Sequence, residues 1–124
     1  MSDLESGMRT RREVLGDEHV DRATAAAVPF DQPFQELITR YAWGAVWSRA
    51  GLDRRTRSAI TLTALICLRA ENELGMHVRA ALGNGLSPEE ISEVILHTAI
   101  YAGVPAANTA FAIAKGVLRK EGAL

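Results

Sequence analysis

Glu73 and His77 stand four residues apart in the segment Glu71-Asn72-Glu73-Leu74-Gly75-Met76-His77-Val78-Arg79-Ala80-Ala81, just after a nearly unbroken apolar run from Ala59 to Leu68. Residues at that spacing share one face of a helix, so a carboxylate and an imidazole would be aimed at a common point. Such a pair can move protons: an imidazole titrates near neutrality, and a carboxylate beside it would orient and charge it. On spacing alone the pair is equally an ordinary surface contact worth about 0.2–0.5 kcal/mol. Arg54, Arg55 and Arg57 crowd the first turns of the apolar helix. A guanidinium can bind both oxygens of a carboxylate at once. Cations at a helix N-terminus also oppose the helix dipole. The cluster therefore reads either as a solvated face or as a clamp for an anionic partner, with Arg57 first choice and Arg55 second. Trp43 and Trp47, again four apart, would form an aromatic wall, either as packing or as pocket lining. Tyr101 and Asn108 could set polar groups at a pocket mouth, while His97 and His19 read as packed or surface histidines. Glu73 and His77 supply two metal ligands, which is too few, and no His-Glu-x-x-His pattern is present, so no metal is expected.

The elements that must position these side chains all read as helices. Residues 2–27 suggest an arm of one or two helices with a weak apolar stripe through Leu4, Met8, Val14 and Leu15. Val28-Pro29-Phe30-Asp31-Gln32-Pro33 marks a break and the start of a helix expected to run from about Gln32 to Ser48. Asp53 can cap the apolar helix, expected to reach about Ala70 and to be buried in the core or in a subunit interface. Cys67 lies inside that run and reads as a small buried hydrophobe. Glu71 to Leu82 is the next helix, ended by Gly83-Asn84-Gly85. Ser87-Pro88-Glu89-Glu90 has the capping-box spacing, starting a helix to about Ala102. Gly103-Val104-Pro105 then turns the chain into a last helix of about 106–120. The expectation is a single all-α domain over 1–124, a compact bundle of about six helices, with an arm (1–28) and a helical body (29–124).

Composition limits the partners. A net charge of -1 offers no field for nucleic acid or an anionic membrane, and neither is assigned. The apolar run is about half of the ~20 residues a bilayer span needs, and the first twenty residues are too charged for a cleavable leader, so a cytoplasmic protein is expected. One cysteine allows no internal disulfide.

Taken together, Arg57, the Glu73/His77 spacing, Asn84-Gly85-Leu86-Ser87-Pro88-Glu89-Glu90-Ile91 and Ala99-Ile100-Tyr101-Ala102-Gly103-Val104-Pro105-Ala106-Ala107-Asn108 resemble the carboxymuconolactone decarboxylase family. The likeness covers nearly the whole chain. Arg11-Arg12-Glu13-Val14-Leu15-Gly16, Tyr41-Ala42-Trp43-Gly44-Ala45-Val46-Trp47 and Gly51-Leu52-Asp53-Arg54-Arg55-Thr56-Arg57-Ser58 resemble its 4-carboxymuconolactone decarboxylase branch. Alkylhydroperoxidase D-like members of the wider superfamily carry a Cys-x-x-Cys pair; here those positions are Ala70 and Glu73, and Ser58 stands at the place of a relay glutamate. Without paired thiols no disulfide cycle can reduce peroxide.

The resemblance implies an alkylhydroperoxidase D-like helical fold, assembled as a ring of subunits, typically a hexamer, with a trimer as the other expectation. It implies a carboxy-lyase that converts 4-carboxymuconolactone to 3-oxoadipate enol-lactone in protocatechuate catabolism by the β-ketoadipate pathway. The substrate is an unsaturated lactone with one carboxylate on the ring and one on an acetate arm, and it serves as its own electron sink, so no cofactor is required. On this reading His77, Glu73 and Arg57 are catalytic, and Arg55, Trp43, Trp47, Tyr101 and Asn108 bind substrate. The alternatives are a thiol-dependent peroxidase or another small-molecule enzyme of the same fold, or a helical assembly module without activity.

Overall fold

The serine of Ser87-Pro88-Glu89-Glu90 starts a helix by reciprocal capping: Ser87 Oγ accepts the Glu90 amide at 3.1 Å while Glu90 Oε1 accepts the Ser87 amide at 2.9 Å. Asp53 does the same work alone, its Oδ1 taking the Thr56 amide at 2.8 Å. Each device satisfies amides that a first helical turn leaves without partners. The computed structural model describes residues 2–124 and, among them, contains helices and no strand, so the chain is all-α. The helices are α1 (Asp3–Leu15), α2 (Asp17–Ala26), α3 (Gln32–Ile38), a π-helical segment (Thr39–Trp47), α4 (Arg54–Cys67), α5 (Glu71–Gly83), α6 (Pro88–Ala102) and α7 (Val104–Lys120). Gly103, at φ 94°, lets α7 begin immediately after α6, two residues before the expected start.

The chain divides into two compact units, Met1–Leu52 and Asp53–Leu124. The expected boundary at residue 28 separates α2 from α3 but not an arm from a body, because α1 packs along segment 39–47 and joins it in the first unit. Within that unit the buried face of α1 is Gly7, Thr10, Arg11, Val14 and Leu15. Leu4 and Met8 of the expected stripe are only half-buried. Small residues take the central places because the backbones nearly touch. A Cβ on Gly7 would lie 2.0 Å from the Thr39 carbonyl oxygen, and one on Gly44 would lie 2.3 Å from that of Asp3.

The second unit has a conventional apolar core. Leu62 and Ile66 of α4, Leu74 and Val78 of α5, Ile91 and Ile95 of α6, and Ala106, Ala107, Ala110 and Ala114 of α7 are all buried together. Each fully buried leucine or isoleucine side chain contributes about 1.5–3 kcal/mol relative to exposure. Alpha 4 ends at Cys67, three residues earlier than expected. Arg69 takes a left-handed conformation at φ 57°, and the Arg69 and Ala70 amides return to the carbonyls of Ile66 and Leu65. Cys67 is exposed, which corrects its reading as a buried hydrophobe. Ile60, Ala64 and Leu68 also face outward, so one side of this apolar helix is uncovered in the single chain.

Candidate active site

Of the residues with candidate chemistry in the second unit, His77 is the one the fold encloses. It sits in the middle of α5 beside Leu74, Val78 and Ala81, is 9% exposed, and has its Nδ1 shut away from solvent. Glu73 lies one turn earlier and is exposed. Apolar packing thus fixes the backbone of α5 and the imidazole, while the carboxylate stands on the open side.

The three arginines of α4 have different surroundings. Arg57 is half-buried with its Nε enclosed, and Arg54 is also half-buried. Arg55 is exposed and its fork is already engaged. Nη1 donates to the Gly85 carbonyl and, at 3.1 Å, to Glu90 Oε1, while Nη2 donates to Glu90 Oε2. The Arg55 hydrogen bond, followed by that of the Ser87 amide, pulls the Glu90 carboxyl down to about 2. The Glu90 hydrogen bond likewise raises the Arg55 pKa. A guanidinium held this way must release Glu90 before it can take a substrate carboxylate. Ser58, at the place of the relay glutamate, is buried and accepts the Asn84 side-chain amide at 2.9 Å, joining α4 to the end of α5.

The remaining candidates lie further out. Tyr101 is 77% exposed, its ring centroid 5.6 Å from that of exposed His97. His97 borders a groove of ≈ 430 Å³ between α4 and α6 with Ala59, Ile60, Thr63, Glu93 and Val94. Asn108 is exposed on α7. Among the described residues no three His, Cys, Asp or Glu side chains gather as a metal-holding group. In the first unit Trp43 is buried and Trp47 half-buried, with ring centroids 5.1 Å apart and planes at 32°.

Residues 32–116 match the model of the carboxymuconolactone decarboxylase family. The chain belongs to that family. A 4-carboxymuconolactone decarboxylase of Acinetobacter baylyi is 47% identical over 116 residues, covering 94% of this chain and 87% of that protein. A nitrosuccinic acid decarboxylase, npaB, of Metarhizium robertsii is 49% identical over 102 residues, covering 82% of this chain and 71% of the relative. A third relative, a 4-carboxymuconolactone decarboxylase of Pseudomonas putida, is 52% identical over 40 residues, 32% of this chain and 83% of its own length.

For this family member, hydrophobic pattern passed over a group in the first unit. Arg11 is 6% exposed and donates through Nη1 to Thr39 Oγ1 and through Nη2 to Gln35 Oε1, both at 3.1 Å. Gly7, Thr10, Arg11 and Val14 do fall on one helical face. That spacing was the available signal, but Thr10 and Arg11 are polar and Gly7 has no side chain.

Proposed function

We propose that this chain is a carboxy-lyase that removes carbon dioxide from 4-carboxymuconolactone, giving 3-oxoadipate enol-lactone in the catabolism of protocatechuate. The observation that carries the reading is the 47% identity to the Acinetobacter decarboxylase, spread over 94% of the chain. The ring C–C bond to the carboxylate breaks, and its electron pair passes through the ring double bond to the lactone carbonyl oxygen, forming a dienolate. His77, as imidazolium, then delivers a proton to carbon and is recharged from water. Glu73 orients the imidazole and balances its charge, and Arg57 holds a substrate carboxylate by its fork. Trp43 and Trp47 offer the lactone an apolar aromatic surface, with Tyr101 and Asn108 as further substrate contacts. Arg55 serves this role only if Glu90 gives way.

Nitrosuccinate, named in the second relative, is also a dicarboxylate with its own electron acceptor, the nitro group. Decarboxylation of a dicarboxylate into an internal acceptor is therefore the reaction type common to both names. The outward apolar side chains Ile60, Leu68, Leu96, Ile100, Tyr101 and Val104 support association of copies, which we read as a cytoplasmic ring of six. A thiol-dependent peroxidase is the weaker reading, because Cys67 is the single cysteine.

Ultraviolet monitoring of carboxymuconolactone consumption by purified, metal-stripped protein tests the proposal, with nitrosuccinate assayed in parallel. Turnover of the lactone is expected. Turnover of nitrosuccinate alone would move the substrate while keeping the reaction type, and turnover of neither would overturn the reading.

A further inference from the structure

Segment 39–47 departs from the winding of every other helix among the described residues. π-Helical turns are rare and hydrogen-bond each amide to the carbonyl five residues back, so an isolated segment has no reason to prefer them. Here α1 is hydrogen-bonded to both ends of the segment.

At the first end the Arg11 fork bridges Gln35, in the α-helical α3, and Thr39, the first residue of the π segment. Thr39 Oγ1 passes its own proton to the Gln35 carbonyl at 2.7 Å, so the junction between the two windings is tied on side chain and backbone alike. Among the described residues no carboxylate pairs with this guanidinium. Its Nε is buried without a hydrogen-bond partner, and burial pulls its pKa below the usual arginine value. A buried cation resting on neutral acceptors is an expensive way to hold a helix together. Apolar contact would do so more cheaply, which indicates that the two-point geometry itself is what the site requires.

At the other end Ser48 Oγ donates to the Trp43 carbonyl at 2.7 Å, standing in for the amide that the helix terminus lacks. Since that uses its one proton, Thr10, 2.7 Å from Ser48 Oγ, is the donor of their mutual bond. Between the two grips the Gly7 and Gly44 backbone approaches leave no space for a side chain. Trp43 and Trp47, the only tryptophans of the chain, lie inside the gripped stretch with their rings in contact.

We propose that Arg11 and Thr10 are positioning residues for substrate binding: from α1 they hold segment 39–47 in its π winding and so set the mutual geometry of the Trp43 and Trp47 rings. The proposal rests on the reading above in which the tryptophan pair faces the substrate. Neither residue touches substrate; both act through the turn.

The test uses the full chain with Arg11→Met, Arg11→Lys and Thr10→Val. With both tryptophans in this segment, the near-ultraviolet circular dichroism of tryptophan reports on it directly. Arg11→Met should change that band and raise KM for carboxymuconolactone about tenfold, the factor for a loss of about 1.4 kcal/mol. Its kcat should stay within about threefold of wild type. Arg11→Lys, which keeps a donor but not the fork, should recover part of both signals, and Thr10→Val should move both in the same direction by less. An unchanged tryptophan band together with a raised KM would overturn the proposal, by showing that Arg11 meets the substrate itself. So would a fall in kcat at constant KM, or no change in either signal. If Arg11→Met does not fold, Thr10→Val carries the same readouts. If the wild type leaves the lactone untouched, the substrate reading falls, and the tryptophan band still decides whether α1 sets the ring geometry.

Discussion

The second unit buries mainly leucine, isoleucine and alanine; the first buries Val14, Leu15, Val20 and Trp43 and, beside them, a glycine, two threonines and a guanidinium. One is held by the amount of apolar surface removed from water. The other adds to its apolar contacts a close approach of two backbones and a set of side-chain hydrogen bonds through Arg11 and Thr10. An apolar core absorbs changes of shape so long as volume is kept. A methyl added at Gly7 would fall 2.0 Å from a backbone carbonyl oxygen, which only a backbone shift can relieve. The contrast teaches that stability and precision can be assigned to different halves of one short chain.

The largest expected effect tests whether the chemistry resides in the apolar-cored half. His77→Ala should lower kcat by roughly 10²–10⁴-fold, the usual worth of a general acid. Far-ultraviolet dichroism should show that helix content is retained. Activity within about threefold of wild type would remove His77 from the reaction.

Next come substitutions aimed at the two kinds of interior. Leu62→Ala, at a fully buried position of α4, should cost about 2–5 kcal/mol by chemical denaturation. The contrast sharpens when one substitution is made in both halves. Gly116→Ala in α7, where an added methyl meets nothing within 4 Å, should stabilise by about 0.5–1 kcal/mol. Gly7→Ala should destabilise by about 1–3 kcal/mol despite the same gain in helix propensity, because the Thr39 backbone must move. Equal signs for the two alanines would end the distinction drawn here.

The smallest effect concerns the Arg55 and Glu90 pair. The folded carboxyl titrates at about 2, below its ordinary range, so its contribution to stability is complete above pH ~4.5 and fades as the pH falls toward about 2. Glu90→Gln should therefore be less stable than wild type at neutral pH, and the difference should shrink across that acid window. Both partners are about half-exposed, so high salt should shrink it as well.

How far each half could be read in advance follows from the same contrast. Ser87 and Asp53 announce their helices because capping is local, and Ile91 and Ile95 recur on one face because burial there is apolar. In the first unit Arg11 looks like a surface residue, since its partners Gln35 and Thr39 are distant in sequence and polar. The π winding leaves no mark on the pattern of Thr39–Trp47, and the ties of its two ends to Arg11 and Thr10 of α1 are polar and distant in sequence. Arg69 ended α4 early through a left-handed turn that glycine would have signalled and arginine did not. Of the candidate site, the enclosed position of His77 could be expected from the apolar residues around it. The engagement of Arg55 by Glu90, 35 residues away, could not.

The outward face of α4 and α6 has a consequence for handling. Its side chains include Ile60, Leu68, Leu96 and Ile100, and the attraction between such surfaces weakens on cooling. In the assembly proposed above, copies joined through this face would be least firmly associated near freezing, so a dilute stock should dissociate on ice and reassociate on the warm bench, which light scattering at the two temperatures would show.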